Sequence, residues 1–218
     1  MSYSHAIYCQ QIGLKTLGFD PGPADGLDGQ KTKAALYDSL VSRFGSKTEA
    51  RRSDGSRPPR PKGTAADKSR IFGAAGSPSM ALFVPPYEMT YFGAKVSKIG
   101  CHALIAKPLE DALKEIADKG EEWIKKHGLD LYAGCFNHRK SRSGNALSDH
   151  SWAIAIDLNQ DANGNKHTWR SGAKADNGTY EMPPVAIKIF KKHGFQVGFL
   201  QSDGTRRDMM HIAYVDRP

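Results

Sequence analysis

The chain is poor in cysteine and has no long apolar run. Its 218 residues include only Cys9, Cys101 and Cys135, at spacings that match no metal-binding pattern and leave at least one thiol unpaired. We expect these to be buried or incidental thiols of a protein made in a reducing cytosol. No apolar stretch is long enough to cross a membrane, and the first residues lack the basic and apolar regions of a secretory signal. The sequence therefore argues against a disulfide scaffold and a transmembrane protein.

Acidic residues are outnumbered by basic ones, 23 against 31, which gives a formal net charge of +8. Residues 45–80 carry eight Lys and Arg against three Asp and Glu, with almost no large apolar residue before Ile71. Such a segment buries too little apolar surface to fold alone, and its prolines favour an extended chain. We interpret residues 47–80 as a basic, Pro/Gly-rich linker. A basic tract binds nucleic acid or anionic envelope polymers without specificity, so no specific nucleic-acid partner is predicted.

Two distant stretches carry the residues of a metal site. The chain reads SDHSWAIAID around His150 and DMMH up to His211. Two imidazoles and the carboxylate of Asp157 form a ligand set typical of catalytic zinc, with the fourth position left for water. Asp208 is then the extra carboxylate that a zinc hydrolase uses as general base. Alone, Asp157 or His211 is more often a structural residue, but together they favour a zinc-dependent hydrolase.

Secondary structure restricts how these ligands meet. The apolar residues before Asp157 alternate between small and branched side chains, which favours a buried strand. Residues seven apart in one strand point to opposite faces, so His150 and Asp157 share a metal only if a turn lies between them, and we expect this turn at Ser151–Ala153. A second short strand is expected at His211–Val215, with Asp208 in the preceding turn.

These residues resemble the Ser-x-His-x-x-Gly-x-Ala-x-Asp motif of the D-Ala-D-Ala carboxypeptidase-type zinc peptidases. That family includes dipeptidases and the L-alanyl-D-glutamate endopeptidases of phage endolysins. The matching residues are Ser148, His150, Ala155 and Asp157, and Asp208-x-x-His211 is similar to the family's closing acid-x-x-His. The similarity extends from about Val96 to Tyr214, and Ala153 stands where the family usually has glycine.

The resemblance implies one zinc ion held by His150, Asp157 and His211, with Asp208 as the general base. The acid before His211 is an aspartate, which the endopeptidases tend to have, whereas the dipeptidases tend to have glutamate. We therefore expect a peptidase that cuts the L-alanyl-D-glutamate bond. A D-alanyl-D-alanine carboxypeptidase and a catalytically inactive wall-binding protein are alternatives. A basic metal nuclease is a third, suggested only by the charge and the His and Asp content.

Arginine is the next candidate for the site. Arg139 and Arg142 lie just upstream of the first ligand. A guanidinium aimed at the scissile carbonyl stabilises the oxyanion, and one aimed at a substrate carboxylate binds it in bidentate fashion. A solvated basic loop is the structural alternative. The resemblance favours Arg139 as the catalytic arginine.

The first 46 residues carry a separate signal. Gly18 suits a helix end, and the glycines and prolines of residues 20–29 favour turns over helix. Asp28 is a suitable cap for a second helix. The apolar stripe of that helix is formed by Leu36, Leu40, Val41 and Phe44.

This pattern resembles the small three-helix peptidoglycan-binding domain. The matching residues are Leu17, Gly18, Phe19, Gly22, Asp25, Gly26, Gly29, Thr32 and Ala35, and the stretch Tyr37–Phe44 departs from the family's usual ending. The resemblance implies that Asp25, Gly26 and Thr32 take part in peptidoglycan binding. A generic helical hairpin with a Gly/Pro loop is the alternative.

The remaining histidines are assigned no metal role. His102 and His127 flank a predicted helix, Leu109–Lys126, and His193 lies near the end of a helix that starts at Pro184. His167 lies in a polar loop and His138 lies beside Arg139.

The sequence thus predicts an α+β protein. A small all-α domain (residues 1–46) and the linker precede a zinc peptidase domain (residues 81–218), in which a small antiparallel sheet with flanking helices holds one Zn²⁺. We expect a monomer whose partner is bacterial peptidoglycan. Synthesis in a host bacterial cytoplasm without a signal peptide, followed by action on the wall in the periplasm, fits a phage lysis enzyme.

Overall fold

The computed structural model describes residues 3–27, 29, 31–32, 35, 39, 57–141, 144–164, 168–174 and 178–217. The chain divides into two compact units, Met1–Glu49 and Ala50–Pro218. Across the described ranges, helices are too short or too polar to cross a membrane.

The first unit contains helix α1, His5–Thr16. The Ser4 side chain caps its start, accepting a hydrogen bond from the backbone N–H of Ile7. After the cap residue Leu17, Gly18 adopts a φ of +85°. The N–H of Gly18 bonds to the carbonyl of Lys15 and that of Phe19 to the carbonyl of Leu14, which is a Schellman ending. The predicted helix end at Gly18 is confirmed.

Gln11 holds the Gly/Pro loop of this unit against α1. Its buried amide donates to Asp25 Oδ1 and Thr32 Oγ1, at 3.0 and 2.9 Å, and to the carbonyl of Leu27. Its Oε1 accepts the backbone N–H groups of Asp25 and Gly26. Asp25, Gly26 and Thr32 therefore have a structural role in closing the loop, and their part in wall binding stays a prediction.

Lys31, Thr32, Ala35 and Ser39 are helical, as expected for a second helix. The predicted cap Asp28 and the apolar stripe of that helix lie outside the described residues, as does the bulk of the predicted three-helix arrangement.

The second unit is a mixture of helices and short strands. Its elements are α2 (Ala65–Phe72), β1 (Met80–Phe83), β2 (Thr90–Tyr91), β3 (Ala94–Lys95), β4 (Ile99–His102), α3 (Ala103–Ala117), α4 (Glu121–Lys126), β5 (Tyr132–Gly134), a 3-10 helix (Asp149–Trp152), β6 (Ala155–Leu158), α5 (Gln160–Asn163), α6 (Pro184–Lys192), β7 (Gln196–Leu200) and β8 (Arg206–Ala213). The strands pair antiparallel, in a four-stranded sheet of order β5-β6-β8-β7 and two two-stranded sheets, β1-β4 and β2-β3. The predicted α+β class with small antiparallel sheets is confirmed.

The core lies between the helices and these sheets. Helix α3 packs against β1, β4 and α6. It presents a stripe of fully buried apolar residues at helical spacing, namely Ile105, Leu109, Ala112, Leu113 and Ile116. Strand β6 is buried along its whole length because it lies inside the four-stranded sheet. A buried central strand gives the site a rigid base.

The predicted helix Leu109–Lys126 is two helices. It begins earlier, at Ala103, where the side chain of His102 accepts the N–H of Leu104. It breaks at Gly120, whose φ of +86° separates α3 from α4. A positive φ is incompatible with a continuous right-handed helix, and glycine adopts it without a Cβ penalty.

Residues 57–80 belong to the second unit, so the predicted linker is wrong for this part of the chain. Thr64 caps α2, whose Ile71 and Phe72 are 2 % exposed. The indole N–H of Trp152 donates to Ser69 Oγ. The low overall hydrophobicity of this stretch gave no indication of a short helix whose two large apolar residues, Ile71 and Phe72, face the core.

Candidate metal centre

Strand pairing brings two of the three predicted ligands together. Asp157 on β6 pairs directly with His211 on β8. Directly opposed residues of an antiparallel pair place their side chains on the same face of the sheet. Both side chains are buried, with exposed fractions of 8 % and 7 %.

The third ligand arrives through a tight turn. His150 lies in the 3-10 helix, which ends at Ala153 in the left-handed region, with a φ of +54°. This turn precedes β6, and His150 and Asp157 face each other despite their separation of seven residues. The predicted turn at Ser151–Ala153 is confirmed. The left-handed backbone also explains why glycine suits the position that Ala153 occupies here.

The three side chains converge on one point. His150 Nε2 lies 3.2 Å from His211 Nδ1 and 3.2 Å from Asp157 Oδ2, and His211 Nδ1 lies 3.3 Å from Asp157 Oδ1. All three ligand atoms lie within 4.8 Å of one another. Ligands about 2.1 Å from a tetrahedral ion are separated by about 3.4 Å. The donor set and its spacing therefore fit a four-coordinate metal ion.

The outward ring nitrogens of both histidines have their own partners. His150 Nδ1 is hydrogen-bonded to the backbone carbonyl of Cys135, and His211 Nε2 lies 3.0 Å from Asp149 Oδ2. Partners of this kind fix the tautomer and turn the other nitrogen toward a metal. The His211 ring also stacks on Phe199, with centroids 5.3 Å apart. Each imidazole is thus oriented before any ion binds.

The electrostatics of the site favour a cation. Burial would raise the pKa of Asp157, but its hydrogen bonds to His150 and His211 hold that pKa well below the usual range. Burial would lower the pKa of His211, but its hydrogen bonds to Asp149 and Asp157 outweigh burial and raise it to about 9. The carboxylates of Asp149 and Asp157 stay ionised at neutral pH. A metal ion bound here would displace the proton of His211.

The ligand cluster formed by His150, Asp157 and His211 opens into a cleft of about 670 Å³. Asp208 and Arg139 both line it, together with the three candidate ligands. Arg139 is half-buried, and its guanidinium donates to the carbonyl of Lys140. The structure therefore places the predicted base and the preferred arginine in the same cleft as the ligands, while Arg142 lies outside the described residues.

Asp208 lies in a bulge of β8, not in the turn before the strand as predicted. Val197 pairs with Ile212 and Phe199 with Arg207, so Gly198 alone faces the four residues between them on β8. Asp208 has a φ of +55° there, a conformation that aspartate tolerates better than most residues. Bulges re-aim side chains at the edges of functional sites. This bulge brings Asp208 and His211 to the same cleft.

Sequence analysis missed the residues that surround the ligands. Asp149 accepts hydrogen bonds from Lys68 and Arg217 as well as from His211. Burial would raise the pKa of Asp149, but the hydrogen bond to His211 and the two cations keep it well below the usual range. The position of Asp149 directly before His150 was a possible signal. Lys68 and Arg217 gave none, because both are remote in sequence.

Among the described residues, the ligand cluster is limited to His150, Asp157 and His211, and three of the other histidines have structural partners. His102 caps α3, His127 bonds to the carbonyl of Trp123, and His193 lies 2.9 Å from Glu115. His138 is exposed. His167 lies outside the described residues.

Residues 141–214 match the family model described as D-alanyl-D-alanine carboxypeptidase. The match covers about a third of the chain and includes the three candidate ligands and Asp208. Searches of curated proteins and of solved structures gave no match. The matched segment is therefore similar to this peptidase family, and together with the site it indicates a metal-dependent hydrolase.

Proposed function

We propose that this protein is a zinc metallopeptidase that hydrolyses amide bonds in the stem peptides of bacterial peptidoglycan. The observation that carries the proposal is the convergence of His150, Asp157 and His211 at spacings of 3.2–3.3 Å. The two imidazoles are borderline-soft donors and the carboxylate is a hard donor. This mixture suits zinc better than calcium or magnesium. The family match over the same residues supports peptidoglycan as the substrate.

The protein's own groups divide the chemistry between them. Zinc, when bound, supplies Lewis acidity for an amide carbonyl and for water. The carboxylate of Asp208 accepts the proton of the attacking water and returns it to the leaving amine. The guanidinium of Arg139, on the cleft wall, stabilises the oxyanion or binds a substrate carboxylate.

Asp149 is unsuited to be the base. Its carboxylate is 2 % exposed and bonded to two cations and to His211. A general base needs a lone pair within reach of the water, and a pKa near the working pH. Asp149 fulfils neither condition, so Asp208 is the better candidate.

Two bond specificities are open to this site. Aspartate at position 208 favours an L-alanyl-D-glutamate endopeptidase, whereas the description of the matched family favours a D-alanyl-D-alanine carboxypeptidase. We give preference to the endopeptidase, acting in phage lysis, with the first unit as the wall-binding domain. Mass spectrometry of the products from purified peptidoglycan separates the two: new N-terminal D-glutamate marks the first, and release of free D-alanine marks the second.

The zinc site is tested by replacing one ligand. His211→Ala removes a nitrogen donor and leaves Asp149 without its imidazole partner, so we expect zinc content to collapse and hydrolysis of peptidoglycan to disappear. His138→Ala is the matched control, because this exposed histidine lies outside the ligand cluster. Metal analysis after dialysis checks both variants. Near-stoichiometric zinc in His211→Ala would refute the proposed site.

A further inference from the structure

Asp149 lies at the centre of a buried charge cluster on the far side of His211 from the metal site. Lys68 Nζ lies 2.9 Å from Asp149 Oδ1, and the two side chains are 4 % and 1 % exposed. Arg217 and His211 both bond to the other oxygen, Oδ2. A buried carboxylate that loses such partners is strongly destabilising, so this arrangement is tightly constrained.

Each cation is also held by an aromatic ring. Lys68 Nζ lies 4.4 Å from the centroid of Trp152, and the guanidinium of Arg217 lies 4.9 Å from that of Phe199. Cations over ring faces are attracted by the ring quadrupole, most strongly when desolvated. Phe199 stacks on the His211 ring as well. The charge cluster therefore contacts the His211 imidazole in two ways. Asp149 bonds to its Nε2, and the Phe199 ring that holds Arg217 stacks on its face.

Helix α2 is fixed to the site on several sides. The indole N–H of Trp152 donates to Ser69 Oγ and to the carbonyl of Gly73. The N–H of Gly76 donates to the carbonyl of Ser151 in the 3-10 helix. These bonds tie the segment that carries Lys68 to the short helix that carries His150.

We propose that Lys68 is a positioning residue of the zinc site, acting on His211 through Asp149. Among the described residues, Lys68 is the partner of Asp149 Oδ1, while Arg217 and His211 share Oδ2. A carboxylate fixed at both oxygens cannot rotate, so its Oδ2 stays aligned with His211 Nε2. Helix α2 is thus part of the structure that orients His211. The inference rests on the proposed zinc function.

The geometry gives the two cations unequal effects. Loss of Lys68 frees Oδ1 and lets the carboxylate turn away from His211. Loss of Arg217 leaves the carboxylate held at both oxygens, by Lys68 and by His211. Replacement of Lys68 should therefore weaken zinc binding more than replacement of Arg217.

The test measures zinc affinity of the full-length protein by chelator competition. Lys68→Met keeps most of the side-chain length but removes the ammonium group, and we expect a loss of about 10–100-fold, the usual scale for partners that orient a ligand. Arg217→Met should lose less. Arg70→Met is the matched control on α2: Arg70 is exposed and pairs with Asp67, and its replacement should leave zinc affinity unchanged.

A double-mutant cycle separates positioning from general stability. If Lys68 acts through Asp149, Lys68→Met adds little to the loss of zinc affinity already caused by Asp149→Asn. Additive losses, or zinc affinity within about twofold of wild type in Lys68→Met, overturn the proposal. Lys68→Leu, which also lacks a donor for Oδ1, carries the same comparison if Lys68→Met does not fold. Absence of zinc binding by the wild type would instead refute the zinc function itself.

Discussion

At the scale of single residues, hydrogen bonds determine which ring nitrogen of each histidine points into the candidate site. His150 and His211 each bond a protein partner through one ring nitrogen, and the other ring nitrogen belongs to the ligand cluster. Asp157 and Asp149 have the same side chain and both are buried, yet their roles differ. Asp157 faces one ring nitrogen of each histidine, whereas Asp149 bonds the outer nitrogen of His211 together with two cations.

Asp208 is the residue whose replacement separates chemistry from metal binding. Asp208→Asn is nearly isosteric, but an amide cannot accept the proton of the attacking water. We expect zinc affinity to stay normal while turnover on stem peptides falls by about 10² or more, the usual scale for loss of a general base. Asp203→Asn, on the exposed turn between β7 and β8, is the control and should keep full turnover. Wild-type turnover in Asp208→Asn would assign the base to another group.

At the scale of elements, two departures from regular structure build the site. The left-handed residue Ala153 ends the 3-10 helix and turns the chain so that His150 meets Asp157. The bulge in β8 brings Asp208 and His211 to one cleft. The bulge does not follow from strand propensity, because it depends on how β8 pairs with β7.

Gly198 makes the bulge possible, so its replacement tests the element. Its φ is +63°, and a Cβ there would lie 2.4 Å from Met209 Sδ and 2.8 Å from the carbonyl oxygen of Arg207. We expect Gly198→Ala to lower the free energy of unfolding by more than the roughly 1–2 kcal/mol of a left-handed alanine, because backbone must also move. Zinc affinity should fall too, since His211 follows the bulge.

Gly204→Ala separates the cost of a left-handed backbone from the cost of crowding around the added Cβ. Gly204 has a φ of +79° in the same hairpin, but no atom lies within 4 Å of a Cβ built there. It should show the cost of a left-handed alanine alone, with zinc affinity unchanged. Denaturant unfolding and chelator competition on both variants make the comparison. Equal effects in the two variants would mean that the bulge is not tightly packed.

At the scale of the whole molecule, the second unit begins well before the predicted catalytic domain. The prediction placed the boundary at residue 81, but residues 57–80 include α2 and the buried Lys68. A fragment starting at residue 81 therefore lacks helix α2, whose Lys68 contacts the Asp149 carboxylate beside the ligand cluster.

Truncation tests both the boundary and the role of the first unit. Deletion of residues 1–49 should leave hydrolysis of soluble stem peptides nearly unchanged and weaken activity on intact sacculi, because a wall anchor raises the effective concentration of the enzyme. Deletion of residues 1–79, which also removes α2, should abolish zinc binding. Equal activity of the shorter deletion and the full chain on sacculi would show that the first unit does not anchor the enzyme.

The sequence alone indicated the ligands of the candidate metal site. Ligand identity is a property of residue type, so His150, Asp157 and His211 were recognisable as a candidate metal-ligand set, and the turn between the first two followed from the two-residue period of a strand. The helix end at Gly18 was predictable for the same local reason, since a left-handed residue after a helix favours glycine.

The tertiary structure decided what holds those ligands. Lys68 and Arg217 are separated from Asp149 by 81 and 68 residues, and nothing in their local sequence distinguishes them from the other basic residues of a chain with 31. Residues 57–80 have a composition typical of a linker. They nevertheless contribute to the core, because Ile71 and Phe72 are buried in it and Lys68 packs on Trp152. Burial of a charge depends on partners that only the folded chain brings together.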